Sequence, residues 1–307
     1  MRISKNITKK IIKRGWMKKT KGIVLAGGEG TRLFPTTKIY SKQLITIYDK
    51  PLIYYPLSTL ILSGINEILI ISTKTSLPLF KKIFKDGKDF GLNIKYACQE
   101  KPKGIAESLI IGKDFIGKDD VMLILGDNIF YGDMDFLRKA KNENENATIF
   151  GYYVSDPERY GVVEFDENGK VISIEEKPKN PKSNYAVCGI YIYDKYCSDY
   201  AKKLKPSKRG ELEITDLNRI YLEKNQLKLE IMGRGIAWLD TGTPRSMLEA
   251  SSFIGTIEQR QNLKIGCIEE VCLRMGFLKK KNFLKLVRNY PESDYKNYLL
   301  KIYEEVR

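Results

Sequence analysis

From Gly22 to Val154, short apolar runs alternate with helix-like stretches, and few architectures accept that pattern. Gly22–Ala26, Glu67–Thr73, Asn93–Gln99, Val121–Leu125 and Thr148–Val154 read as strands. Pro51–Ser63, with proline in its first turn, Leu77–Lys85 and Ile105–Ile111 read as helices. Strands alternating with helices predict an α/β chain: a Rossmann-like, mixed but mainly parallel sheet with helices on both faces.

The pattern then changes. Gly161–Phe165 and Lys170–Glu176 flank Asp166-Glu-Asn-Gly169, whose Asn-Gly pair predicts a hairpin. Tyr185–Tyr193 and Leu227–Gly233 read as strands and Glu213–Lys224 as a helix. Beyond Gly242 the apolar spacing is helical nearly to Arg307. The expected organisation is a basic N-terminal extension (1–20), an α/β domain (21–260) and a C-terminal helical appendage (261–307).

Composition narrows the chemistry. The 307 residues include no histidine, which removes Ser-His-Asp and Cys-His nucleophiles, His-ligated metals and imidazole bases together. Five cysteines without a C-x-x-C pair suggest neither a disulfide framework nor a zinc knuckle. Catalysis is left to carboxylates, Lys, Arg, backbone amides and hard metal ions. The net charge of +15 invites a nucleic-acid partner, yet nine of the excess positive charges sit in residues 1–21, and no basic-aromatic module is present. The expectation is no nucleic-acid partner. Residues 1–20 have the makings of a short basic amphipathic helix, but with Met17 as an alternative start the favoured reading is a non-essential extension. No apolar run spans a membrane or forms a secretory signal, so the expected location is cytoplasmic.

Three kinds of residue point to a phosphate-handling site. Leu25-Ala-Gly-Gly-Glu-Gly-Thr-Arg-Leu33 directly follows the first strand; three glycines in four positions let several N–H groups approach an anion, and Arg32 can clamp phosphate oxygens. It is neither a dinucleotide fingerprint nor a P-loop. Lys42 and Gln43 follow in Ser41-Lys-Gln-Leu44, a point charge and a donor–acceptor amide. Asp127, in Leu125-Gly-Asp-Asn-Ile129, and Asp240, in Trp238-Leu-Asp-Thr-Gly-Thr243, are two strand-end carboxylates of the kind that hold Mg²⁺. Glu176 and Lys177 close the second hairpin arm, an acid for sugar hydroxyls beside an ammonium for phosphate.

These strings, with Tyr54-Tyr-Pro-Leu-Ser58, Asp156-Pro-Glu-Arg-Tyr-Gly-Val-Val-Glu-Phe165, Pro181-Lys-Ser-Asn-Tyr-Ala-Val187 and Arg209-Gly-Glu-Leu-Glu-Ile-Thr-Asp216, resemble the glucose-1-phosphate thymidylyltransferase family from about Lys21 to the C-terminal helices. The resemblance implies that Leu25, Gly27, Gly28, Gly30, Thr31, Arg32, Lys42 and Gln43 meet the nucleotide and its phosphates, and that Gln99 and Gly104 hold the thymine. It implies Asp127 and Asp240 as Mg²⁺ ligands, and Gly161, Glu176, Lys177 and Val187 on the glucose 1-phosphate side, in a hairpin-containing sugar-binding part. Substrates and products would be dTTP, glucose 1-phosphate, dTDP-glucose and pyrophosphate, at the head of dTDP-rhamnose and related pathways. Such enzymes are usually tetrameric and often feedback-inhibited. Pro244-Arg245 departs from the family, which carries His-Asp or His-Glu there; Thr46 stands for a common proline and Cys188 for a threonine.

The expected reaction is in-line attack by a glucose 1-phosphate oxygen on the α-phosphorus of dTTP. A phosphate monoester is largely dianionic near neutrality, so no general base is needed. Arg32, Lys42 and Lys177 would be the catalytic cations. Rival readings are the same chemistry with UTP or another nucleotide, a non-catalytic sugar-nucleotide sensor, and a nucleic-acid binder.

Overall fold

The computed structural model describes residues 19–306, so the basic N-terminal extension expected over residues 1–20 lies almost wholly outside the described residues. Strand β1 (Thr20–Leu25) is central. It pairs in parallel with β4 (Glu67–Ser72) and β6 (Asp120–Leu125), and β4 pairs in parallel with β5 (Asn93–Cys98). β1 alternates Ile23 and Leu25 into one apolar cluster and Val24 into another. Ile68 and Ile70 of β4 and Met122 and Ile124 of β6 side with Val24. Leu69 and Ile71, with Val121 and Leu123, side with Ile23. Both faces are covered, which is why these strands read as continuous apolar runs.

The sheet continues antiparallel. β11 (Tyr185–Tyr193) lies against β6, and β9 (Gly161–Phe165) and β10 (Val171–Glu176) form the expected hairpin. Asp166 Oδ1 accepts the N–H groups of Asn168 and Lys170, and Gly169 takes a φ of 78°. β8 (Ala147–Tyr153) stays on one edge of β11 and bonds in parallel to β12 (Leu227–Ile231). Along its other edge β11 changes neighbour: Ala186 pairs with Val162 of β9, and Ile190 onward with β6. A register shift between Val187 and Tyr191 marks the exchange. The fork between β6 and β9 is where the sheet opens a cleft.

A separate two-stranded ladder crosses the fork. β7 (Asn128–Tyr131) follows β6 directly and pairs antiparallel with β13 (Ala237–Asp240), setting Asp240 opposite Asn128. The predicted helix Pro51–Ser63 is shorter than expected. Lys50–Pro51 is a two-residue strand, β3, against β2 (Thr46–Ile47), and helix α1 runs Tyr54–Leu62 with Pro56, not Pro51, in its first turn. Backbone bonds from Leu52 N to Ile45 O and Ile53 N to Gln43 O tie the entry back to the 43–45 segment, and both side chains are buried.

The remaining helices are α2 (Leu77–Phe84), α3 (Glu107–Ile111), α4 (Lys113–Ile116), α5 (Asp135–Glu143), α6 (Cys197–Ala201), α7 (Ile214–Glu223), α8 (Pro244–Gln261), α9 (Ile268–Arg274), α10 (Lys280–Arg288) and α11 (Asp294–Glu305). Cys267, Ile268, Cys272, Phe283, Leu299 and Ile302 of the C-terminal helical part share an apolar cluster with Val24 and Ile68. Among the described residues no helix is long and apolar enough to cross a membrane.

Candidate active site

The cleft in the fork holds about 350 Å³. Arg32, Asp127, Gly161, Glu176, Lys177, Val187 and Asp240, all singled out from the sequence, line it. Asp127 arrives at the end of β6 and Asp240 at the end of β13, and the two ends are tied together: Thr241 donates to the Asp127 carbonyl from its N–H at 3.2 Å and its hydroxyl at 2.8 Å. Behind Asp240, Thr243 caps α8 in a reciprocal capping box with Ser246 and Pro244 takes the first turn. The Pro244-Arg245 pair therefore supplies a good helix start.

The two carboxylates differ in environment. Buried Lys42 donates to Asp127 Oδ2 at 2.5 Å and Asn128 Nδ2 donates to Oδ1 at 2.8 Å. Burial pushes Asp127 up, but the Lys42 ammonium and these hydrogen bonds outweigh it and hold the carboxyl below its ordinary value. Among the described residues the ion pair of Asp240 is a long contact, 3.6 Å, to the Arg159 guanidinium. Burial and then the negative charge of Asp127 raise it, against weaker relief from Lys42, Arg32 and Arg159. Two facing carboxylates, one raised by the other, are the environment that a divalent cation relieves, and Mg²⁺ takes one or two protein carboxylates while phosphates and water complete its shell. Among the described residues no set of three or more His, Cys, Asp or Glu forms a closed metal site.

The opposite wall comes from the hairpin and α7. Thr215 donates to Glu176 Oε2 at 2.5 Å, fixing the carboxylate beside Gly161, where an added Cβ would lie 3.5 Å from that oxygen. Arg209 braces the arrangement, bonding both Glu213 oxygens at 2.9 and 2.8 Å and reaching Glu176 at 3.5 Å. Lys177 follows with a φ of 45°, a left-handed conformation unusual for a residue with a side chain, held by its N–H bond to the Tyr160 carbonyl. This bend sends the chain out of the ladder at the cleft rim.

The glycine-rich segment borders the other end. Gln43 Nε2 donates to the Gly27 carbonyl at 3.3 Å, and Thr37 to the Gly30 carbonyl at 2.9 Å. Gln99 is buried, donates to Glu107 at 2.7 Å and sits so close that a Cβ on Gly27 would lie 2.7 Å from its Oε1. Gly104 has a φ of 101° and faces the Leu212 backbone, with its would-be Cβ 2.4 Å from that carbonyl. Leu25 accepts from Gly126 N, linking the loop to the β6 end. Gly28 lies in open space. Thr31 stands apart, bordering a shallow depression with Glu29, Phe34, Thr37 and Lys38.

Sequence reasoning did not single out Asn128, Arg159, Tyr160, Tyr191, Thr215 or Trp238, which also line the cleft. Asn128, Arg159, Tyr160, Thr215 and Trp238 lie inside the quoted strings, but the neighbours of Asn128, Thr215 and Trp238 come from the long-range pairing of β7 with β13 and of α7 with β10.

The chain matches the family model for nucleotidyl transferase over residues 21–257. It is 53% identical to a glucose-1-phosphate thymidylyltransferase of Neisseria meningitidis, covering 92% of this chain and 99% of that one, and 48% identical to that of Mycobacterium tuberculosis over the same shares. A crystal structure from Bacillus anthracis assigned the same activity, in complex with a sucrose, superposes with a TM-score of 0.71 at 43% identity, covering 76% of this chain and 95% of that one. A UDP-glucose pyrophosphorylase bound to UDP-glucose, at 24% identity and a TM-score of 0.70, shares the fold. With Asp127 and Asp240 brought to one cleft and this likeness along nearly the whole chain, the protein belongs to the nucleotidyl transferase family, in its glucose-1-phosphate thymidylyltransferase branch.

Proposed function

We propose that the cleft joins glucose 1-phosphate to dTTP, giving dTDP-glucose and pyrophosphate. The observation that carries this reading is the convergence of Arg32, Asp127, Lys177 and Asp240 on one cleft, with Lys42 bound to Asp127. Joining two polyanions needs positioning and charge neutralisation more than proton transfer, and the cleft is furnished with those groups and no histidine.

Lys177, at the rim beside Glu176, would hold the phosphate of the nucleophile, while Glu176 accepts sugar hydroxyls. Gly161 and Val187 form the floor beneath the sugar. Arg32 lies next to Asp240, its Nη2 3.0 Å from where a Cβ on Gly242 would stand, suited to the leaving pyrophosphate. The glycine-rich backbone takes the remaining phosphate oxygens, and Gln99 with Gly104 faces the base. Mg²⁺ bound by Asp127 and Asp240 would neutralise phosphate charge as pyrophosphate leaves. The same reading takes the chain to be a cytosolic homotetramer, testable by sedimentation velocity as a species of about four chain masses.

The test is pyrophosphate release from glucose 1-phosphate with a panel of nucleotides, with and without Mg²⁺. Release with dTTP that requires Mg²⁺ is expected. The thymine methyl contributes only about 0.8 kcal/mol when buried, so UTP should follow within roughly fourfold on that contact alone. Release with ATP or UTP but not dTTP would reassign the substrate, and tight dTDP-glucose binding without turnover would make the chain a sensor.

A further inference from the structure

Asn128 and Trp238 form a hydrogen-bonded line that ends on Asp127. Trp238 Nε1 donates to Asn128 Oδ1 at 2.6 Å, and Asn128 Nδ2 donates to Asp127 Oδ1 at 2.8 Å. An indole N–H is a donor only, so it commits the amide oxygen of Asn128 and leaves the NH₂ facing the carboxylate. Lys42 holds the other oxygen of the same carboxylate. Asn128 is only 4% exposed, so water cannot readily replace these bonds.

The line joins the two strand ends that carry the acids. Trp238 is two residues before Asp240 on β13, and Asp240 stands opposite Asn128 in the β7–β13 ladder. Gly189 leaves room for the amide: a Cβ there would come within 2.5 Å of Asn128 Oδ1. The Trp238 ring is itself wedged edge-on to Tyr152, at 5.8 Å between centroids, and tilted over Tyr160 at 5.1 Å.

We infer that Asn128 and Trp238 are positioning residues for the divalent-cation site: the indole fixes the amide, the amide fixes Asp127, and β13 carries Asp240 to the same cation. This rests on the reaction proposed above. Outer hydrogen bonds of this kind typically set metal affinity within a factor of 10–100, through the carboxylate they orient.

Trp238→Phe keeps the aromatic packing and removes the donor. Gly189→Ala crowds the same amide at its Oδ1 without deleting any polar group. Binding of Mn²⁺ to the enzyme in the presence of dTTP alone is read by electron paramagnetic resonance. The KM values for glucose 1-phosphate and dTTP are measured beside it. Trp238→Phe should weaken Mn²⁺ binding about tenfold while both KM values at saturating metal stay within about twofold, and Gly189→Ala should move metal affinity in the same direction. Unchanged Mn²⁺ affinity in folded Trp238→Phe overturns the inference, as does a raised sugar KM at unchanged metal affinity, which would make Trp238 a sugar contact instead. Should Trp238→Phe not fold, Gly189→Ala decides in the same way. A wild-type enzyme inactive with dTTP and glucose 1-phosphate would instead overturn the proposed reaction.

Discussion

Asp127 and Asp240 end two different strands and border one cleft, but the protein surrounds them in opposite ways. Asp127 closes a strand of the large sheet, and its charge is met by a buried ammonium and an oriented amide. Asp240 closes a strand of the small ladder, is raised by burial and then by the repulsion of Asp127, and has only the weaker relief of Lys42, Arg32 and a distant Arg159 guanidinium. One carboxylate is neutralised within the fold; the other is held at an electrostatic cost that a bound cation removes. On the proposed reading, the contrast teaches how a site built from two acids is kept ready: one would anchor, and the other would supply the drive to take up the metal.

The comparison breaks first at activity. Asp127→Ala and Asp240→Ala should each lower kcat/KM on the order of 10³-fold, and the double variant should be little worse than either, because the pair acts as a unit. Steady-state pyrophosphate release measures this. Strictly multiplicative losses would mean that the two acids work separately.

Stability in metal-free buffer sharpens it next, and the two acids should differ in sign. Asp127 has a lowered folded pKa, so its ionised form contributes stability that is present above the unfolded carboxylate range and lost as pH falls through the folded value. Asp127→Asn leaves Lys42 buried without its counter-charge and should cost about 3 kcal/mol in urea denaturation near neutrality. Asp240 has a raised folded pKa, so its ionisation destabilises the fold above that value; Asp240→Asn should raise the apparent melting temperature by about 2–4 °C. A loss of stability in both variants would remove the asymmetry.

The smallest effect is on pH dependence. Asp240, raised, protonates before Asp127 as pH falls, so of the two acids it should be the one that contributes to the acid limb of kcat/KM at limiting Mg²⁺. Arg159 is one of the cations that hold Asp240 down, and Arg159→Gln should move that limb to higher pH. An unmoved limb would assign it to another group.

The large sheet was legible because its central strands are buried on both faces and so are apolar along their length, and the hairpin because Asn168-Gly169 permits its turn. Of the small ladder only the strand end at Asp240 was: β7 has four residues and follows β6 after only two, so its apolar signal merges with its surroundings, and nothing local pairs it with β13. Pro51 misled because proline suits the first turn of a helix as well as a short edge pairing. At the site, both aspartates could be placed at strand ends from sequence. Their difference could not, because it comes from Lys42, 85 positions before Asp127, and from Trp238, 110 positions after Asn128. Such contacts carry no local pattern.

Anomalous diffraction from crystals grown with Mn²⁺ and dTDP-glucose tests the shared-cation arrangement most directly. A manganese peak bounded by carboxylate oxygens of both Asp127 and Asp240, with nucleotide phosphate completing its shell, is the predicted result. A peak that touches neither aspartate, or phosphates seated in the cleft with both carboxylates turned away from the metal, would contradict it.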